Sequence, residues 1–243
     1  MTAPAKNRRV VVYPDAATVA TATAARLLTH LVDTLTVKER ADIILTGGTV
    51  GIRTLSEVAA SPLRDTVDWT AVHVWWGDER FVAAGDPDRN EGQAQEALLA
   101  HLPVPEENIH RMGSTTEFET AEDAAAAYLA DFEAQGEPVW DVAMFGMGPD
   151  GHVASLFPSH PVFVTGSEAV SAVHDSPKPP STRVTLSVDL INRAHQVWIV
   201  AAGDEKAEAI AKALKGDKAI PASAVCGTDA TLWLIDAAAA AQA

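Results

Sequence analysis

Short apolar and β-branched runs alternate with helical patterns along this chain, and no other feature limits its fold as strongly. The runs predict strands at 9–13, 41–46, 71–76, 139–145, 168–173, 183–186, 196–201 and 230–235. The intervening patterns predict helices at 16–35, 51–60, 90–99, 120–135 and 204–214. Strands that alternate with helices are typical of parallel sheets. We therefore predict an α/β fold: a single doubly wound, mainly parallel sheet with helices on both faces, of the Rossmann-like type.

The chain has 243 residues, which fits one large α/β domain, and it shows neither an internal repeat nor a break in composition. We predict a single domain over residues 1–243. The alanine-rich end, residues 237–243, is expected to fray. Segment 159–180 carries the weakest pattern, which is compatible with an insertion or a lid.

Acidic residues outnumber basic residues, 33 to 18, and give the chain a formal net charge of −15. Such a chain repels phosphate backbones, so nucleic acid is not an expected partner. An anionic small molecule needs a local cluster of cations, because the global field opposes its binding. The sequence must therefore place lysines and arginines together at any site for a phosphorylated ligand.

The N-terminal region lacks the apolar core of a signal peptide, and no run of about 18 apolar residues predicts a membrane span. The expected location is the cytoplasm, with no membrane partner. Cys226 is the single cysteine, so an intrachain disulfide is impossible. The histidines lack the spacing of a metal site, and neither a metal ion nor an organic cofactor is expected.

Residues 146–158 read Gly-Met-Gly-Pro-Asp-Gly-His-Val-Ala-Ser-Leu-Phe-Pro and follow a predicted buried strand. Three glycines at a strand-to-loop junction let the backbone approach a ligand closely. Asp150 and His152 lie two residues apart in this loop. A carboxylate beside an imidazole orients a general base that works near neutral pH. These two residues are candidate catalytic groups, and the alternative is a glycine turn with an Asp and a His on the surface.

Polar side chains follow four of the predicted strands, at 47–49, 78–80, 150–152 and 204–206. Ligands of open parallel sheets bind at the carboxyl ends of the strands, so these clusters are expected along one edge. Gly47, Gly48 and Thr49 precede a helix, whose free N–H groups and dipole favour an anion. The loop has neither the P-loop ending nor the dinucleotide fingerprint. Its alternative is a tight strand-to-helix turn.

Segment 146–158 resembles the signature of the 6-phosphogluconolactonase family, whose relatives are the glucosamine-6-phosphate deaminase/isomerases. The wider family shares Gly-x-Gly-x-Asp-Gly-His, and the deaminases carry Asn-Glu-Pro where this chain has Leu156-Phe157-Pro158. The resemblance implies hydrolysis of 6-phospho-D-glucono-1,5-lactone to 6-phosphogluconate in the pentose phosphate pathway, without a cofactor. The implied partner is that small phosphorylated sugar lactone, and we expect a monomer rather than a stable oligomer.

The resemblance also implies roles for individual residues. His152 is the implied general base on water, with Asp150 as its orienting partner, and amides around Gly148 would hold the developing oxyanion. The phosphate is expected to contact the 47–49 loop. Around this loop the family usually has Ser-Gly-Gly-Ser-Thr-Pro, and residues 46–51 of this chain are Thr-Gly-Gly-Thr-Val-Gly. The other implied substrate contacts are Arg80, Asn90, Lys178, Arg183 and Lys206.

Each of these side chains also has a purely structural interpretation. Arg80 can pair with Asp78 or Glu79, and Asn90 can cap a helix. Lys178 and Arg183 flank rigid prolines and can be solvated loop charges. Lys206 can be a surface lysine in a first helical turn. The contacts of these residues decide between the two interpretations.

Two other functions stay open at this point. A sugar-phosphate deaminase/isomerase needs extra acid–base groups to open a ring and move protons, and Phe157 stands where such a glutamate would be. A non-catalytic sugar-phosphate-binding protein is the other alternative. The intact Asp150–His152 pair argues against it.

Overall fold

The computed structural model describes residues 7–166 and 168–243. In that part of the chain the strands are β1 (Arg8–Tyr13), β2 (Ala41–Leu45), β3 (Val72–Trp76), β4 (Asp78–Arg80), β5 (Val142–Gly146), β6 (Val170–Val173), β7 (Arg183–Leu186), β8 (Gln196–Ala201) and β9 (Ala230–Asp236). The helices are α1 (Ala16–Leu35), α2 (Thr49–Ala60), α3 (Asn90–Ala97), α4 (Ala121–Ala134), α5 (Pro161–Val164), α6 (Val188–Ile191) and α7 (Ala207–Leu214).

Six strands form the main sheet in the order β1-β9-β8-β5-β2-β3, and every neighbouring pair in it is parallel. Parallel neighbours need a connection that crosses one face of the sheet, which the intervening helices supply. The α/β fold class is thereby confirmed. Within the described residues, no helix combines the length and the apolarity that a bilayer crossing requires.

A second, smaller sheet departs from the prediction of one sheet. Strands β4, β7 and β6 pair antiparallel with one another and not with the main sheet. The chain leaves the main sheet at Gly77, directly after β3, where an added Cβ would lie 2.3 Å from the Phe145 ring. Only glycine fits this close approach. The three residues after it form β4, which pairs with β7 and not with the main sheet. This turn sets Arg80 beside the carboxyl edge of the main sheet.

Two apolar layers cover the main sheet, one on each face. One layer joins the sheet to α1, α2 and α3, and the other joins it to α4, α6, α7 and the second sheet. Successive residues of β3 point to opposite faces, as Trp75 and Trp76 do, and both indoles are fully buried. Burial of a sheet on both faces explains why its strands read as continuous apolar runs.

Local signals explain where several helices begin. Asp15 accepts the Thr18 N–H at 2.7 Å and caps α1, as predicted. Asp204 does not cap a helix, because residues 204–206 form a 3₁₀ turn that leads into α7. The tail that we expected to fray lies in turns, where the Ala239 N–H donates to the Asp236 carboxylate and Ala239 is fully buried.

Candidate active site

A pocket of about 140 Å³ opens at the carboxyl edge of the main sheet, where the polar clusters were expected to meet. It is lined by nine of the eleven residues proposed from the sequence: Gly47, Gly48, Thr49, Arg80, Asn90, Gly148, His152, Arg183 and Lys206. The two others, Asp150 and Lys178, contact His152 directly. The topology therefore gathers residues from six separate segments of the chain into one place.

The Asp150–His152 pair occupies the loop after β5. The Asp150 Oδ1 atom lies 2.5 Å from His152 Nδ1, and the His152 backbone N–H also points at it, at 3.4 Å. If Nδ1 carries the proton that this bond needs, Nε2 is left as the basic nitrogen. Among the described residues none hydrogen-bonds to Nε2, and the ring lines the pocket. The geometry thus suits a general base that faces a ligand.

The pKa of Asp150 reflects opposing influences. Partial burial raises the pKa of this carboxyl, but the hydrogen bond and charge of His152 and the charge of Lys178 outweigh burial. The net effect holds the pKa of Asp150 well below its usual range. Asp150 is therefore a carboxylate near neutral pH, which is the form that orients an imidazole.

The ring of Phe157 packs against the His152 imidazole. The Phe157 ring lies 4.6 Å from the His152 ring, measured between centroids, and is itself fully buried. The Arg183 guanidinium lies 5.7 Å from the centroid of the same phenyl ring. Phe157 thus packs against the imidazole and limits the rotation of His152, and the same ring makes a cation–π contact with Arg183.

The Gly148 amide does not have the partner that we expected. Its N–H donates to the His152 carbonyl at 3.1 Å, so that amide is not free to hold an oxyanion. Gly148 serves the site sterically instead, because an added Cβ would lie 2.1 Å from His152 Cε1. The missing side chain lets the imidazole lie over its own loop.

The 47–49 loop forms the opposite wall of the pocket. Thr49 begins α2, and Gly48 gives this helix no side-chain cap. The first N–H groups of a helix have no intrahelical acceptor, and the helix dipole places partial positive charge there. Because these groups line the pocket, the wall suits an anion.

Arg80 and Asn90 form a second cluster beside that wall. Arg80 Nη1 donates to Asn90 Oδ1 at 2.6 Å and to the Asp88 carbonyl at 2.7 Å. Within the described chain Arg80 has no carboxylate at ion-pair distance, and its buried Nε has no hydrogen-bond partner. The ion-pair alternative for Arg80 is therefore not observed. Asn90 is the first residue of α3 rather than its cap, and its Nδ2 donates to the Asp78 carbonyl at 2.9 Å.

Glu79 organises this cluster, although sequence analysis suggested it only as an ion-pair partner for Arg80. Its buried carboxylate accepts the backbone N–H groups of Arg80 at 2.7 Å, Asn90 at 2.8 Å and Glu91 at 2.9 Å. Burial raises the pKa of Glu79 to about 7, although Arg89 and these three N–H groups act in the opposite direction. Glu79 therefore caps α3 from outside the helix and fixes the backbone that carries Arg80 and Asn90.

Replacing Glu79 by glutamine is expected to lower the free energy of unfolding by about 1–3 kcal/mol, because an amide cannot accept all three N–H groups. The folded protein holds the Glu79 proton up to about pH 7, whereas the unfolded chain releases it near 4.5. The contribution of Glu79 to wild-type stability therefore falls as pH rises from about 4.5 to about 7. Over the same range, the decrease in unfolding free energy caused by Glu79→Gln should become smaller.

Urea unfolding of Glu79→Gln between pH 4.5 and 7 measures this trend. Glu96→Gln, at an exposed position of the same helix, is the matched control and should change stability by less than about 0.5 kcal/mol. A loss in Glu79→Gln that grows with pH would contradict the burial effect.

Two more cations complete the pocket. Arg183 is buried and donates to the carbonyls of Lys178 at 3.1 Å, Pro179 at 3.0 Å and Pro180 at 3.1 Å, so a proline-rich loop holds its side chain. Burial lowers the pKa of Lys206, although Glu205 and Asp236 raise it. These contacts place Arg183 and Lys206 at the pocket, against their surface alternatives.

Lys178, predicted as a phosphate contact, has its ammonium beside the Asp150–His152 pair. Its Nζ lies 3.5 Å from Asp150 Oδ1 and 3.3 Å from His152 Nδ1. Asp78, which we had not assigned, lines the pocket and accepts the Ser155 hydroxyl at 2.6 Å. Both placements depend on contacts between distant segments, so local sequence patterns carry little signal for them.

Comparison with known proteins places this geometry in a family. A model of the glucosamine-6-phosphate isomerases/6-phosphogluconolactonase family matches residues 14–233, which include every residue of the site. The chain belongs to this family.

Members of the family resemble the chain along most of its length. A 6-phosphogluconolactonase of Streptomyces coelicolor is 43% identical over 96% of this chain and 94% of its own. A 6-phosphogluconolactonase of Mycobacterium leprae is 41% identical over 96% of this chain and 97% of its own. The crystal structure of a 6-phosphogluconolactonase from Thermotoga maritima, 25% identical, covers 94% of this chain and 99% of its own with a TM-score of 0.84. Family membership thus agrees with both sequence and fold.

Proposed function

We propose that this chain hydrolyses 6-phospho-D-glucono-1,5-lactone to 6-phosphogluconate, a step of the pentose phosphate pathway. The observation that carries the proposal is a carboxylate-held imidazole that opens onto a pocket lined by cations. In a chain of net charge −15, three cations at one pocket point to an anionic ligand. The relatives named 6-phosphogluconolactonase add independent support.

The charges that line the pocket suggest how the substrate lies. The start of α2, Arg80 and Lys206 favour the phosphate, since helix N–H groups and cations bind phosphate oxygens. His152 then faces the lactone carbonyl at the other end of the sugar. Asp78 carries the opposite charge, which suits sugar hydroxyls and not phosphate. The phosphate contacts would thereby orient the reacting carbon toward the base.

The proposed reaction uses one base and one water. His152 Nε2 takes a proton from water as the water oxygen bonds to the lactone carbon, and the carbonyl electron pair moves onto oxygen. The tetrahedral intermediate then re-forms its carbonyl, the bond to the ring oxygen breaks, and the imidazolium returns its proton to that oxygen. The new carboxylic acid releases a proton to solvent. Lactone and water thus give carboxylate and one proton.

The deaminase branch of the family makes different demands on the site. Ring opening and proton movement between carbons need additional acid–base groups. The residue that contacts the His152 ring here is Phe157, which has no proton to exchange. The proposal therefore assigns this chain to the hydrolytic branch.

Two assays on one preparation test that assignment. In a buffer that contains a chelator, the protein should hydrolyse 6-phosphogluconolactone above its spontaneous rate. It should release no detectable ammonia from glucosamine 6-phosphate. Added ammonium serves as the detection control. Steady ammonia release at a rate that matches or exceeds lactone hydrolysis would overturn the assignment.

A further inference from the structure

The ammonium of Lys178 lies beside the Asp150–His152 pair. Its Nζ is 3.3 Å from His152 Nδ1 and 3.5 Å from Asp150 Oδ1, and its side chain is 40% exposed. Arg80, Arg183 and Lys206 line the pocket, whereas Lys178 does not. A lysine whose charge lies at the base has a different task from one that binds a phosphate.

The backbone of Lys178 is held in place from two sides. Its carbonyl accepts the Ser176 hydroxyl at 3.0 Å and Arg183 Nη2 at 3.1 Å. Its N–H donates to the same Ser176 oxygen at 3.3 Å. A fixed backbone limits the space that a flexible lysine side chain explores, so the position of the ammonium beside Asp150 is built into the loop.

The chemistry of the contact identifies its partner. Both the Nδ1–H group and the ammonium are donors, and Asp150 Oδ1 is the acceptor they share. Lys178 therefore pairs with the carboxylate and balances its charge. The charge of Lys178 is also one of the influences that lower the pKa of Asp150. When the imidazole gains a proton, a second positive charge appears within a few ångströms of the ammonium.

We propose that Lys178 is a positioning residue of the Asp150–His152 pair: its ammonium anchors the Asp150 carboxylate and places a positive charge beside the imidazole that has to take up a proton. This inference rests on the proposed lactonase function. The ammonium also leaves a net positive charge near the reacting carbon once the base has taken its proton, when the intermediate is an anion.

Other charges face the same imidazole, and the test has to hold them constant. They come from strand β4, the first residue of β7 and the 3₁₀ turn before α7: Asp78, Arg80, Arg183 and Lys206. All four remain in every Lys178 variant. A change seen on substituting Lys178 alone is therefore its own contribution.

The experiment is a pH–rate profile for 6-phosphogluconolactone hydrolysis by wild type, Lys178→Met, Lys178→Arg and the exposed control Lys218→Met. In Lys178→Met the acid limb of kcat should move to higher pH by about one unit, since a nearby charge shifts a titration by that order. KM should change less than about threefold, whereas Arg80→Ala raises it by about tenfold or more. Lys178→Arg should keep the wild-type limb, as should Lys218→Met.

Each outcome decides the question. An acid limb that does not move in Lys178→Met overturns the proposal, and a rise in KM like that of Arg80→Ala would then make Lys178 a phosphate ligand. An equal shift in Lys178→Arg overturns the role of charge. If the wild-type protein gives no hydrolysis above background, the proposed function itself fails, which is a separate result from an active wild type with an unmoved variant.

Discussion

Substituting His152 by alanine is expected to lower kcat by roughly 10²-fold or more, because a positioned general base contributes about 10² to 10⁴. The ring is held by Asp150 at Nδ1 and by Phe157 on its face, and it leaves Nε2 open to the pocket. The substitution removes the proposed proton acceptor and leaves Arg80, Arg183 and Lys206 in place. KM should therefore change far less than kcat.

The fold should survive the His152 change, since the imidazole lies at the pocket and outside both apolar layers. Circular dichroism and urea unfolding check that point. His101→Ala, at an exposed histidine that does not line the pocket, is the matched control and should keep wild-type turnover. A well-folded His152→Ala protein that turns over substrate at the wild-type rate would contradict the assignment of His152 as the general base.

Loss of Arg80 is the second large effect that we expect. Its guanidinium is oriented by Asn90 and Asp88, it has no carboxylate at ion-pair distance among the described residues, and it lines the pocket. Arg80→Ala should weaken transition-state binding by about 1.5–3 kcal/mol, the range for hydrogen bonds to a charged group. This corresponds to a decrease in kcat/KM of about 10- to 150-fold.

The effect of Arg80→Ala should depend on the phosphate of the substrate. With unphosphorylated gluconolactone, wild type and variant should differ by less than about threefold, because the charge-assisted contact is absent from both reactions. Arg53→Ala, on the exposed face of α2, is the control for a general loss of positive charge. Equal sensitivity of the two substrates to Arg80→Ala would mean that the arginine does not bind phosphate.

The parts of the site that sequence analysis predicted are those set by local chemistry. Asp150 and His152 are two residues apart in one loop, so their contact needs no knowledge of distant segments. Arg80 and Lys206 each follow a strand, and parallel strands bring their carboxyl ends to the same edge. The alternation of strands and helices likewise predicted the parallel architecture of the main sheet.

The parts that were missed depend on which distant group meets which. β6 and β7 have four residues each, too few to reveal from sequence that they would join β4 in a sheet of their own. Glu79 resembled a candidate ion-pair partner for Arg80 until its three backbone donors were seen. The charge of Lys178 is compatible with a contact to the phosphate or to Asp150. Its position beside Asp150 depends on the path of its loop, which the sequence does not reveal.

The central claim is tested most directly by proton release from freshly prepared 6-phosphogluconolactone at near-neutral pH, measured against the spontaneous rate. The account predicts a rate that rises in proportion to protein concentration and returns close to background when the same amount of folded His152→Ala protein is used. A rate that stays at the spontaneous background at every concentration of the wild-type protein would contradict the account.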